Sequence, residues 1–185
     1  FCGNRMHIDK RLRIEDLHPV KVDKLGMDTE LHMRCKQVEW QRALEKGEEC
    51  NAVALTRKGE ILYSYKRGAK LVTWDHQVVW DYKTPDKTEL QSATLLQNGG
   101  VLLGICGVPA QFIELDKKGK EVNKVTLNLE VERPHSQFRQ VFQLRNSNYL
   151  IPVMAKQKVL EVSRKGKIIA EHQIEGKAFS SLELP

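Results

Sequence analysis

Along this chain the apolar positions fall into short alternating runs, broken at close intervals by Gly, Asn, Asp and Lys. The clearest set runs from Leu90 to Asp116. One apolar run ends at Asn98-Gly99-Gly100, a second ends at Gly107-Val108-Pro109, and an alternating third ends at Asp116. Asn-Gly between two apolar runs is a strong hairpin signal, because a tight primed turn needs positive φ at its centre. The pattern predicts three short antiparallel strands in this stretch.

The same unit recurs before and after it. Leu55, Leu96, Leu144 and Leu184 each close an apolar run just before a turn, at separations of 41, 48 and 40 residues by subtraction. Second strands follow at Ile61–Tyr65, Val101–Cys106 and Tyr149–Val153, and third strands at Lys70–Trp74, Gln111–Leu115 and Lys158–Val162. After a polar turn come fourth strands at Val78–Lys83, Glu121–Leu127 and Lys167–Ile174. Four short strands per unit, repeating in register, are the signature of a β-propeller blade. A sandwich or open meander also gives short strands with polar turns, but neither requires one unit to repeat. The expected fold is therefore all-β: a β-propeller of four-stranded antiparallel blades.

The blades are expected at about 47–83, 89–127 and 136–174, with a further blade starting at 178–185. Residues 38–44 resemble a fourth strand, comparable to Val78–Tyr82, and read as the strand that closes a ring. Only about three to four blades are present, so 38–185 is expected to be a partial ring. Bare blade faces would expose more apolar area than soluble monomers carry, and roughly three further blades are expected beyond Pro185. Residues 1–37 break the pattern. They are strongly charged and hold three of the six histidines. A helical turn opening at Ile14–Leu17 would stop at His18-Pro19, since a residue before proline avoids the α region. This stretch reads as an extension with little regular structure. His7, His18, His32 and Cys35 fit no metal-ligand spacing, so no metal is expected.

With 185 residues, 41% apolar and 29% charged, the chain is long enough to bury a real core. No window approaches the run of about 18 apolar residues that a membrane span needs. A net charge of +6 invites nucleic acid. Much of that charge sits in turns, however: Arg57-Lys58, Lys117-Lys118 with Lys120, and Arg164-Lys165 with Lys167. With no helix-turn-helix, zinc-finger or RNP pattern beside it, the distribution argues against a nucleic-acid partner. Cys2, Cys35, Cys50 and Cys106 form no CxxC pair. Their even number permits disulfides without implying them.

Ser92-Ala-Thr-Leu-Leu-Gln-Asn-Gly99-Gly100, followed by Phe112-Ile-Glu-Leu-Asp116 and a Lys/Gly turn, resembles the PQQ-like and NHL-like propeller repeats. The tracts Pro134–Gln140 and Glu48–Asn51 are similar to uncharacterised secreted bacterial members of that group, and the resemblance covers about Val38 to Pro185. It implies an exported bacterial protein, periplasmic or at the cell surface. Quinone-dependent dehydrogenases of the wider class need a calcium carboxylate cluster and often vicinal cysteines. Neither pattern is present in the sequence, so no PQQ and no other cofactor is expected. Arylsulfotransferase-type propellers use channel histidines and arginines, and His135 and Arg139 have that chemistry.

First strands of propeller blades line the central channel. Their leading ends would gather Glu49 and Asn51 from the first unit, Glu89 and Gln91 from the second, and His135, Gln137 and Arg139 from the third. Glu48, Ser92 and Gln140 lie beside them, and Lys66-Arg67, Cys106–Pro109 and Lys156-Gln157 fall in the companion loops. Convergent polar groups at a channel mouth are a binding-site candidate. Asn51, Ser92, Gln140 and Ser180 read as equivalent positions, and side chains of that kind also suit bonding between strand ends. Trp40, Trp74 and Trp80 read as contacts between blades. The favoured function is a binding or scaffold propeller that recognises a small ligand, glycan or protein on the channel face. The alternative is a transferase or lyase in which His135 is the acid or base and Arg139 holds an anion.

Overall fold

The computed structural model describes residues 5–8, 40–44, 49–85 and 88–176. Glu48, His18, His32, Cys35 and the strand expected at 178–185 lie outside the described residues. The chain divides into two compact units, Phe1–Lys46 and Gly47–Pro185. In the first, β1 (Arg5–Ile8) pairs antiparallel with β2 (Trp40–Ala43), from Arg5 opposite Ala43 to Ile8 opposite Trp40. The segment read from sequence as a ring-closing strand thus has its partner inside the extension that was expected to be irregular.

The second unit is a succession of three four-stranded antiparallel meanders. The first sheet holds β3 (Cys50–Leu55), β4 (Ile61–Tyr65), β5 (Gly68–Val72) and β6 (Val78–Lys83). The second holds β7 (Glu89–Leu95), β8 (Val101–Cys106), β9 (Ala110–Leu115) and β10 (Glu121–Leu127). The third holds β11 (Phe142–Gln143), β12 (Tyr149–Val153), β13 (Lys158–Val162) and β14 (Ile168–Gln173). Among the described residues no sheet closes on itself, and the helical elements are two single 3₁₀ turns. The repeating unit is the one the apolar pattern predicts. One strand is displaced: β5 starts at Gly68, because Tyr65 already pairs with Gly68 across Lys66-Arg67, and Trp74 falls past its end.

The turns depart from the primed form expected at Asn98-Gly99. Gly99 N donates to Leu96 O at 2.9 Å, Leu96 N donates to Gly100 O at 2.9 Å, and Gly99 alone in this turn takes positive φ, at 81°. This is a type I turn closed by a left-handed residue. The same bonding recurs at Thr56–Gly59, Thr73–His76, Asp116–Gly119, Leu144–Ser147 and Ser163–Gly166. Where the first residue carries an oxygen it reinforces the turn, as Asp116 Oδ1 does by accepting from Lys118 N at 2.8 Å and Lys120 N at 2.9 Å. Strand register then corrects the leucine frame. Leu55 pairs with Ile61 as Leu95 pairs with Val101, so Leu95 is the true counterpart of Leu55, and Thr56, Leu96 and Leu144 all open turns.

The second sheet is buried on both faces. Val101, Leu103, Ile105, Ile113 and Leu115 pack with Leu62, Ala69, Leu71 and Trp80 of the first sheet. Their neighbours Leu102, Cys106, Ala110 and Phe112 pack with Phe138, Val141, Tyr149, Ile151 and Leu160 on the third-sheet side. Successive residues of β8 therefore serve two different cores, as the period of two in a strand requires. Gly104 marks a tight approach on the third-sheet side. A Cβ there would lie 2.9 Å from Phe138 Cε2, 3.0 Å from Val141 Cγ2 and 3.1 Å from Ser92 Cβ. The Gly104→Ala substitution should overpack this interface and cost about 1–3 kcal/mol. Urea unfolding checks this, and an unchanged midpoint would contradict the assigned contact.

Candidate functional site

Irregular pairing at the leading ends of the first strands shapes the candidate site. The register of β3 against β4 shifts between Cys50 and Ala52, and that of β7 against β8 between Leu90 and Ser92. Asn51 and Gln91 are therefore bulge residues, and a bulge re-aims the side chain it carries. Asn51 Nδ2 donates to Leu90 O at 2.8 Å, and Gln91 Oε1 accepts from Arg139 Nη1 at 2.8 Å. Each reaches the start of the following sheet. Counting back from Gln143, the register partner of Tyr149, places Arg139 at the same position in the third unit (139 − 91 = 48 and 143 − 95 = 48). The equivalence read from sequence between Asn51 and Ser92 was one residue out, because it was counted from Leu96, which opens a turn, rather than from Leu95, the register counterpart of Leu55. Ser92 does a neighbouring job: its Oγ accepts from Val141 N at 3.0 Å, while Thr94 Oγ1 donates to Val141 O at 3.0 Å.

Glu89, at the start of β7, gathers an ammonium and an imidazole. Its Oε1 lies 3.2 Å from Lys66 Nζ and its Oε2 lies 3.1 Å from His135 Nε2. The Glu89 side chain is 18% exposed and that of His135 61%, so the histidine forms the outer wall. The His135 contact is not directed along a hydrogen bond, which leaves Glu89 Oε2 unsatisfied. Arg139, half-buried, presents five N–H donors in a planar fork. Apart from the bond to Gln91, they have no partner among the described residues.

His135 and Arg139 do not share a first strand, as the sequence suggested. Pro134–Ser136 forms a 3₁₀ turn, with Ser136 N donating to Arg133 O and Gln137 N to Pro134 O, and β11 is confined to Phe142–Gln143. Strand β7 brings the two together instead, holding His135 through Glu89 and Arg139 through Gln91. Gln137 is fully buried. Its Nε2 donates to Gly107 O at 2.7 Å and Val131 O at 2.9 Å, and its Oε1 accepts from Gly107 N at 3.0 Å. That side chain ties two loops together. Glu49 is exposed, preceding β3. Beneath the cluster, Cys106 Sγ lies 3.9 Å from Phe138 O, and burial pushes its thiol up to about 12. Among the described residues no group of three or more His, Cys, Asp or Glu side chains is placed to hold a metal ion. Nor is any helix there long and apolar enough to cross a membrane.

Stacked four-stranded meanders whose first strands gather polar groups at one end define a β-propeller fold. Solved structures agree. A protein of unknown function from Bacteroides caccae is 40% identical, with a TM-score of 0.76, covering 80% of this chain and 54% of its own length. Virginiamycin B lyase from Staphylococcus aureus is 16% identical, with a TM-score of 0.56, covering 72% of this chain and 43% of its own. The Pan2 WD40 domain of Neurospora crassa is 12% identical, with a TM-score of 0.56, covering 74% and 40%. These last two likenesses concern the fold alone. The model of the family described as Mal s 1 allergenic protein-like matches residues 31–185. The chain belongs to that family, and it spans about half the length of the Bacteroides caccae protein. No curated protein matches.

The Cys106 thiol gives a pH prediction. Its folded value lies above the ordinary 9.0, so the folded state keeps its proton after the unfolded state has lost it. That contribution to stability is fully present below pH 9.0 and is lost as pH rises towards about 12. Tyr149, raised from 10.0 to about 12 by burial and then by its bond to Glu114, acts in the same direction. Chemical denaturation across this range should show falling stability, with a shallower fall in Cys106→Ala. Equal slopes would contradict the burial of the thiol.

Proposed function

We propose that this chain is part of a binding propeller that recognises an anionic small ligand, a charged glycan or an acidic protein segment where Glu89, His135 and Arg139 converge. The supporting observation is Arg139. Its guanidinium is held in place by one bond to a bulge residue while its other donors remain without a partner among the described residues. A positioned fork of this kind suits bidentate capture of a carboxylate or sulfate. Glu89, flanked by Lys66 and His135, sets the neighbouring charge pattern and gives the site a subsite for a hydroxyl or cationic group. Asn51 and Gln137 serve the scaffold beneath, and Glu49 the outer rim. The repeat frame is akin to PQQ-like and NHL-like propellers, and we read the protein as exported from a bacterial cell. An enzymatic role for His135 with Arg139 is not favoured, since the histidine is engaged by a carboxylate on the outer wall.

Titration with glucuronate, against glucose as the neutral control, tests the reading. Charge-assisted hydrogen bonds contribute about 1.5–3 kcal/mol, so Arg139→Ala should weaken glucuronate binding by about tenfold or more with the thermal midpoint retained. Unchanged affinity in the variant, or equal binding of the two sugars, would overturn it.

A further inference from the structure

A cavity of about 580 Å³ opens between the first and second sheets, at the turn end opposite the Glu89 cluster. Leu71, Trp80, Leu95 and Val101 form its apolar wall and Lys117 reaches its rim. The repeat supplies a second copy of this place, between the second and third sheets, and there it is filled. Register fixes the correspondence. Leu71 stands opposite Leu62 as Glu114 stands opposite Leu102, and Trp80 opposite Leu71 as Asn123 opposite Glu114. Val101 stands opposite Leu95 as Tyr149 stands opposite Gln143. Lys117 lies two residues past Leu115, and Arg164 two past Val162, each past the partner of those second-strand residues.

In the filled copy the buried Glu114 carboxylate accepts from Tyr149 Oη at 2.8 Å, Gln143 Nε2 at 3.0 Å and Arg164 Nε at 3.0 Å, with Arg164 Nη2 on its other oxygen. Asn123 Nδ2 donates to Tyr149 Oη at 2.7 Å. In the open copy leucine replaces that carboxylate, valine the phenol, and Trp80 and Leu95 the two amides. The cation alone is kept. Lys117 makes no ion pair among the described residues, and its stem crosses Gly99, where a Cβ would lie 2.8 Å from Lys117 Cε. Trp80, nine-tenths buried in the wall, leaves its indole N–H without a hydrogen-bond partner. Arg57 and Lys58 add positive charge to the rim against one carboxylate, Glu60, which accepts from Thr56 Oγ1 at 3.3 Å.

From this we infer that the pocket binds a small carboxylate with an aromatic or aliphatic body. The apolar body lies against Leu71, Leu95, Val101 and Trp80. The carboxylate meets Lys117, as the carboxylate of Glu114 meets Arg164 in the next interface. The volume falls within the range of small-molecule sites, about 300–1,000 Å³. This site shares no residue with the Arg139 cluster and does not rest on it.

The test titrates the isotope-labelled 185-residue chain with phenylacetate while following the indole N–H resonances of its three tryptophans. Benzyl alcohol supplies the same ring without the charge. The Trp80 resonance should move, and phenylacetate should bind about five- to tenfold more tightly than the alcohol. Read at Trp80, Lys117→Ala should remove that advantage and leave the alcohol unaffected, while Arg139→Ala should leave both Trp80 titrations unchanged. Leu71→Glu, which installs the carboxylate of the filled copy, should abolish the response. Lys117 lies on the rim, so its variant remains a fair test if the Leu71 variant does not fold. No movement of Trp80 at millimolar phenylacetate, equal binding of acid and alcohol at that resonance, or an unchanged Lys117→Ala would overturn the inference, as would loss of the Trp80 response in Arg139→Ala.

Discussion

A sheet with two apolar faces cannot stand alone in water, and that constraint governs this unit. In β8, Val101, Leu103 and Ile105 enter one core while Leu102 and Cys106 enter the other. Each buried apolar side chain contributes about 1.5–3 kcal/mol, so neither face can be left open without a large loss. The second sheet is therefore stable only between neighbours. Gly104 sets how closely the third sheet approaches, because Phe138, Val141 and Ser92 occupy the space that a methyl group would need.

The fold was legible because alternation and turn chemistry agree. Short apolar runs, each ended by a polar turn, fixed all three second strands without error: Ile61–Tyr65, Val101–Cys106 and Tyr149–Val153. The details that escaped share one physical character, a single residue out of step. The left-handed residue at Gly99 lengthens the turn beyond the primed form, and the bulges at Asn51 and Gln91 shift what precedes them. A bulge reverses the alternation, so that Leu90 and Ser92, two residues apart, serve opposite sides, and the mixed run Glu89–Ala93 is too short and too polar to show that reversal.

Candidate site residues were harder to read. The sequence could name polar side chains near one end of the sheets, but not their partners. Gln137 and Arg139 are two residues apart and equally polar, yet one is fully bonded to Gly107 and Val131 and the other holds a single bond to Gln91. The 3₁₀ turn that carries His135 follows from Pro134 and its neighbours, and the shortness of β11 has no counterpart in the apolar pattern. The pocket at Lys117 was invisible for another reason. It is defined by what Leu71 and Val101 lack, and that shows only when two interfaces are laid over each other.

The bulge residues also set how freely these units can be rearranged. Asn51 grips a backbone carbonyl, Leu90 O, which any following strand would offer. Gln91 grips a guanidinium, which only a unit carrying arginine at that place provides. The first junction is therefore generic and the second is keyed. A duplicated copy of the first sheet could be spliced ahead of many others, whereas the second and third sheets are matched and would have to travel together.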